Sequence, residues 1–123
     1  MVTLLIILAI VTGSGVWMVR ALDKSADDLA GRIDRIEAQV RRENWDEAER
    51  TLEGVGARWA GMKKWWTITL DHKEIDNIDF AMARLREYIR TEDDELALGE
   101  AAVLRGMIRH IPEKEAFTLE NIL

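Results

Sequence analysis

Eighteen consecutive residues without a charged side chain, Val2 to Val19 ("VTLLIILAIVTGSGVWMV"), constrain this chain more than any other feature. As a helix the run is ~27 Å long at ~1.5 Å per residue, close to the ~30 Å hydrocarbon core of a bilayer. Trp17 falls where a membrane interface would lie, and Arg20 and Lys24 follow it. Leu4, Leu5, Ile6, Ile7 and Leu8 are apolar on every face of such a helix. A helix apolar all round needs lipid or a large core, and a short chain has no large core. The expectation is a membrane span through residues 2–19, within an anchor covering 1–22. Two alternatives stay open. Gly13-Ser14-Gly15 supplies small residues that a signal peptidase accepts, which would make the segment a cleaved signal peptide; uncleaved, it is a signal anchor. The run could also be a buried helix of a soluble fold.

The remaining 100 or so residues read as helix. One proline and eight glycines in 123 residues suit a mostly helical chain, because proline breaks helix interiors. Apolar residues recur at heptad-like spacing in four stripes. They are Ala26, Leu29, Ile33, Ile36, Val40; Ala48, Leu52, Val55, Trp59, Met62; Ile75, Ile78, Met82, Leu85, Ile89; and Ala97, Ala101, Leu104, Ile108, Ile111. The second pair of stripes repeats the first 49 positions later: Ile75 follows Ala26 by 49, and Ile111 follows Met62 by 49. The breaks match as well, Asn44 corresponding to Asp93. Asn44 is expected to cap the second helix through its side chain, and "TEDDE" to cap and acidify the fourth. A kink or short turn between Gly61 and Thr69 separates the hairpins, and Pro112 is expected to end the fourth helix.

The predicted fold class is therefore all-α: an N-terminal transmembrane helix followed by a small bundle of four helices, two helical hairpins with a repeat-like relation. The four-helix domain covers 25–111. Residues 112–123 form a C-terminal tail docked on the bundle, since a floppy tail would not end in Ile122-Leu123.

For function, exclusions come first. A formal charge of −6 argues against nucleic acid as a partner, because phosphates need a basic footprint. The absence of cysteine removes disulfides, thiolate metal sites and a thiol nucleophile. No glycine-rich phosphate loop, serine elbow or HExxH is present. No cofactor and no catalytic residues are assigned, and an enzyme is not expected.

Two constellations remain. In "LDHKEIDNID", His72, Asp76 and Asp79 are spaced i, i+4, i+7 along one flank of the third helix. A histidine and carboxylates in that register could share a metal, given a further ligand such as His110, Glu113 or Glu115. The structural reading is favoured: His72, Glu74, Asp76 and Asp79 form a polar boundary network, with His72 bonding Asp76 and Asp79 meeting a tryptophan N–H or an arginine. Trp45, Trp59, Trp65 and Trp66 gather around the second helix. They are read first as bundle-sealing side chains and second as a surface for a protein partner.

The stretches "NWDEAERTL", "RWAGMKKWW", "DHKEIDNID" and "LENIL" behind an apolar start resemble the small membrane-anchored bacterial proteins of domain-of-unknown-function family 4363 (DUF4363). The most specific parts are Trp45 with Ala48, the run His72-x-Glu74-Ile75-Asp76, and Glu120-Asn121-Ile122. The resemblance implies a single-pass protein of the cell membrane, from a Gram-positive bacterium, with its helical domain outside. It implies no activity. The positive-inside count points the other way: Arg20, Lys24, Arg32 and Arg35 follow the span and would hold the domain in the cytoplasm. The expected role is a membrane-tethered helical interaction or structural protein. The alternatives are a metal- or ligand-binding site at His72, Asp76 and Asp79, and a helical-repeat adaptor for a partner peptide.

Overall fold

The structure, a computed structural model, describes residues 1–67 and 70–122; of Trp65 and of residues 112–122 it describes the backbone alone. The chain is all-α. Four helices follow one another, α1 Val2–Arg41, α2 Trp45–Trp66, α3 His72–Arg90 and α4 Asp94–Ile122. They close into an antiparallel ring in which α1 packs on α2 and α4, and α3 on α2 and α4.

The periodicity of the sequence becomes the core directly. Every member of the four apolar stripes is buried except Met62, which packs half-buried against the others. Leu22 and Leu70 join them from outside the stripes, and Ala81 closes the side of α3. Leu70 sits in the α2–α3 turn, where its amide bonds the Trp66 carbonyl at 2.8 Å and its side chain is buried. That turn occupies the region expected from the drift between stripes, although Gly61 itself lies within α2.

The 49-residue repetition extends to the backbone of the turns. Glu43 and Glu92 both adopt left-handed backbone, at φ 57° and 55°. Around them the bonds repeat: Asn44 N–H donates to the Gln39 carbonyl and Asp93 N–H to the Tyr88 carbonyl, each at 2.9 Å. Glu43 N–H donates to Val40 at 3.0 Å, and Glu92 N–H to Ile89 at 3.1 Å. This paired 6→1 and 5→2 pattern is a Schellman ending, here with glutamate where glycine is the usual occupant. One turn solution is used twice.

One finding adds to the expectations and two correct them. First, the expected anchor and the first bundle helix are a single helix, α1, which runs unbroken from Val2 to Arg41. Composition changes sharply near Arg20, yet nothing there breaks a helix. The glycines at 13 and 15 are carried too, and the hydroxyls of Thr12 and Ser14 fold back onto the carbonyls of Leu8 and Ile10 at 2.8 and 2.7 Å. Pro112, second, does not end α4, which continues to Ile122. A proline removes one i→i−4 bond and strains the turn before it, and that turn is pinned here by buried Ile108 and Ile111. The docking expected of side chains 112–123 lies outside the described residues. Third, Asn44 occupies the N-cap position of α2 without a side-chain bond. Its backbone, at φ −90° and ψ 73°, is not the extended geometry that returns a cap oxygen to the helix. Asp71 has that geometry and does cap α3, accepting from Lys73 N–H at 3.1 Å. Asp93 caps α4 by accepting from Leu96 N–H at 3.1 Å.

The two halves of α1 meet opposite surroundings. Its apolar half is long and apolar enough to cross a membrane and none of that stretch is buried, with Leu4 at 72% and Trp17 at 71% exposure. A turn and a half later Leu22 is at 1%, and the same helix has become the wall of the core.

Candidate functional site

The row His72, Asp76, Asp79 splits on folding. His72 is the first residue of α3 and is exposed, as is Asp76. Among the described residues no hydrogen bond joins them. Asp79 turns instead toward α2, accepting from Trp59 Nε1–H at 2.8 Å and from Lys63 Nζ at 3.2 Å. Trp59 is among the most deeply buried side chains, so this bond satisfies the one polar atom it carries into the core. Glu74 lies on another side of α3, where it lines a cavity of about 150 Å³ with Asn77, Ile78, Met107 and His110. His110 thus stands near Glu74 rather than near His72. The side chains of Glu113 and Glu115 lie outside the described residues. Among the described residues no three of His, Asp and Glu converge at metal-ligand spacing.

The tryptophans do not form one surface. Trp45 opens α2 and Trp66 closes it, ~31 Å apart along the helix at ~1.5 Å per residue. Both are half-buried against the core, Trp59 is enclosed, and the Trp65 side chain is not described.

Each seam of the ring carries a cross-helix polar link; sequence reasoning named the partner type of Asp79 and missed the other three. Arg58 of α2 reaches Asp28 of α1 at 3.1 Å, and Asp79 ties α3 to α2 as above. Arg84 of α3 meets Glu100 of α4 at 2.8 Å. Arg105 of α4 bonds Asp34 of α1 at 2.8 Å and also Glu37, the one buried charged residue among those described. Burial of Arg105 works to lower its pKa, but the hydrogen bond it donates to Asp34 and the charges of Glu37 and Asp34 outweigh it, and the guanidinium is held above its ordinary value. Arg84 is likewise raised, chiefly by its bond to Glu100. The signal was present: each of these residues flanks an apolar stripe, where charged pairs set helix pairing.

A larger concavity, about 640 Å³, opens between α1 and α2 close to the apolar half of α1. Ser25, Ala57 and Gly61 leave its floor low, and Gly61 has open space where a Cβ would stand. Lys24 and Asp28 form one wall, and Arg58, Met62 and Trp66 form the other. No reading of stripes could have found it, because it is made by what small side chains leave empty.

A family model described as Domain of unknown function (DUF4363) matches residues 16–122. The match begins at Val16, so it takes in the last four residues of the apolar run and the whole bundle. No curated protein and no solved structure matches the chain.

Proposed function

The chain belongs to the DUF4363 family, and we propose that it is a non-enzymatic, membrane-tethered helical module that acts through protein contact. One observation carries the reading. A single helix presents an exposed apolar surface along its first half and a core-forming stripe along its second. In water the first half would expose far more contiguous apolar surface than soluble monomers tolerate. In lipid it needs no cover, and the continuous backbone then fixes the bundle at a set height and angle.

The four seams are each held by a charged or tryptophan-mediated link, which favours a rigid presenting domain over a flexible one. Because the four stripes face one another, the groove that a repeat adaptor would offer to a partner helix is filled by the chain's own side chains. For orientation we adopt the exterior placement implied by the family resemblance. Arg32 and Arg35 belong to a folded domain, and folded domains of this length translocate largely regardless of charge.

Two experiments test this. Full-length protein from cells should stay with the membrane through alkaline carbonate extraction, and recovery in the soluble fraction would refute the tether. Glu92→Cys introduces a thiol at an exposed turn of a chain that has no other. Labelling of intact cells by a membrane-impermeant maleimide is expected, and labelling only after lysis would reverse the orientation.

A further inference from the structure

Of the features that the proposed function leaves unused, the α1–α2 groove is the one with a chemically specific lining. Its height follows from the continuity of α1. Lys24 and Asp28 lie ~7 and ~14 Å beyond Val19, the end of the uncharged run, at ~1.5 Å per residue. The interfacial layer on each side of a bilayer is ~5–8 Å deep. Lys24 is therefore at headgroup level and Asp28 one turn above it. The Arg58–Asp28 pair sets the antiparallel register of the two helices. It follows that Met62 and then Trp66 lie successively nearer the lipid. Trp66 stands at the lower end of the groove, Lys24 and Met62 about level above it, and the Arg58–Asp28 pair at the top.

The charge balance in it is local and positive, in a chain of formal charge −6. Among the described residues Asp28 is its one carboxylate, and it is shared by Arg58 at 3.1 Å and Arg32 at 3.2 Å. Lys24 forms no ion pair among the described residues. Asp23 and Asp27 are exposed and do not line the groove. Its volume, about 640 Å³, is within the ~300–1,000 Å³ of small-molecule sites and far exceeds what a bare anion needs.

Resting on the tether proposed above, we infer that this groove binds the headgroup of an anionic phospholipid of the same membrane, its phosphate between Lys24 and Arg58 and its glycerol backbone against Met62 and Trp66. Bases at this depth are each worth about a fivefold gain in binding to an acidic leaflet. Trp66 then plays the part that tryptophans take at membrane interfaces, with its ring at headgroup level.

The test uses full-length protein in nanodiscs of phosphatidylcholine alone or with increasing phosphatidylglycerol, read by the methyl-¹³C resonance of Met62, assigned with Met62→Leu. A saturable shift is expected only with phosphatidylglycerol. Lys24→Gln and Arg58→Gln should each weaken it about fivefold, while Lys64→Gln, an exposed lysine outside the groove, leaves it unchanged. An identical Met62 signal in both discs would overturn the site. Equal sensitivity to Lys64→Gln would also overturn it, by showing diffuse attraction. The same shift from inorganic phosphate added to phosphatidylcholine discs would overturn the lipid assignment. Flotation separates this from the tether: protein that floats with neither vesicle composition refutes the tether, whereas floating without the Met62 response refutes the groove alone.

Discussion

The two ends of the bundle are built differently. At the end remote from the apolar half of α1, two turns join helices through the same Schellman geometry, 49 residues apart, with Glu43 and Glu92 at the left-handed positions and arginines, Arg41 and Arg90, closing the helices before them. At the other end α2 closes with Lys63, Lys64 and Trp66, Leu70 is buried beyond it, and Trp66 lines an open groove with Lys24. Where the chain has only to reverse direction, it repeats one local solution. Where it adjoins the apolar half of α1, small residues, tryptophans and lysines replace that economy. The contrast assigns register to the far end and contact with surroundings to the near one.

The largest effect that could break this contrast is at Trp59, which belongs to the near end yet is wholly structural. Trp59→Ala should destabilise by about 3–5 kcal/mol, through lost burial and an unfilled cavity. Denaturant unfolding of full-length protein in mild detergent measures it, and a loss under 1 kcal/mol would mean that the near end is not packed as described. Next comes its polar partner. Asp79→Leu strands the buried Trp59 N–H and should cost about 1–3 kcal/mol. Asp79→Asn keeps an acceptor and should cost distinctly less. Equal costs would show that charge, through Lys63, rather than the tryptophan bond is what matters.

The far end predicts changes of opposite sign. Glu43→Gly and Glu92→Gly each relieve a left-handed residue and should stabilise by about 1 kcal/mol. Similar values at the two sites sharpen the claim of one repeated turn, and opposite signs would dissolve it. Smallest is Arg58→Gln, whose half-exposed pair with Asp28 should change stability by under about 1 kcal/mol. A much larger loss would make the groove wall a structural element. Arg84 and Arg105, both raised above the ordinary arginine value, stay charged at neutral pH. Their contribution is complete below the unfolded-state value and fades only as pH rises through the raised ones. Stability between pH 7 and 10 should therefore not vary on their account.

These particulars also show which parts of the molecule its sequence makes legible. The stripes were readable because burial repeats with the helical period, and Ile33, Leu52, Met82 and Leu104 all lie in one core. The equivalence of Asn44 and Asp93 was visible as spacing, though not the Schellman turns beneath it, since glutamate at a left-handed position gives no compositional signal. Pro112 misled because propensity is local, while the buried isoleucines before it are held by tertiary packing. Continuity at Arg20 was masked by an abrupt change of composition that the backbone ignores. The Asp79–Trp59 bond matched a partner type that could be named, but which tryptophan depended on inter-helix register. The groove depends on volumes left empty between helices, and a one-dimensional pattern does not carry those.

The account depends on α1 being one rod through both environments, and a distance measures that most directly. Cysteines introduced at Val11 and Gly31 are both exposed, and a Cβ at Gly31 meets nothing within 4 Å. With no native cysteine to interfere, spin labels at these sites in nanodiscs report the interval between the apolar half and the bundle half. A continuous helix predicts a narrow distribution centred near ~30 Å, twenty residues at ~1.5 Å each. A broad distribution, or one centred well below that distance, would mean a hinge between the two halves and would contradict the account.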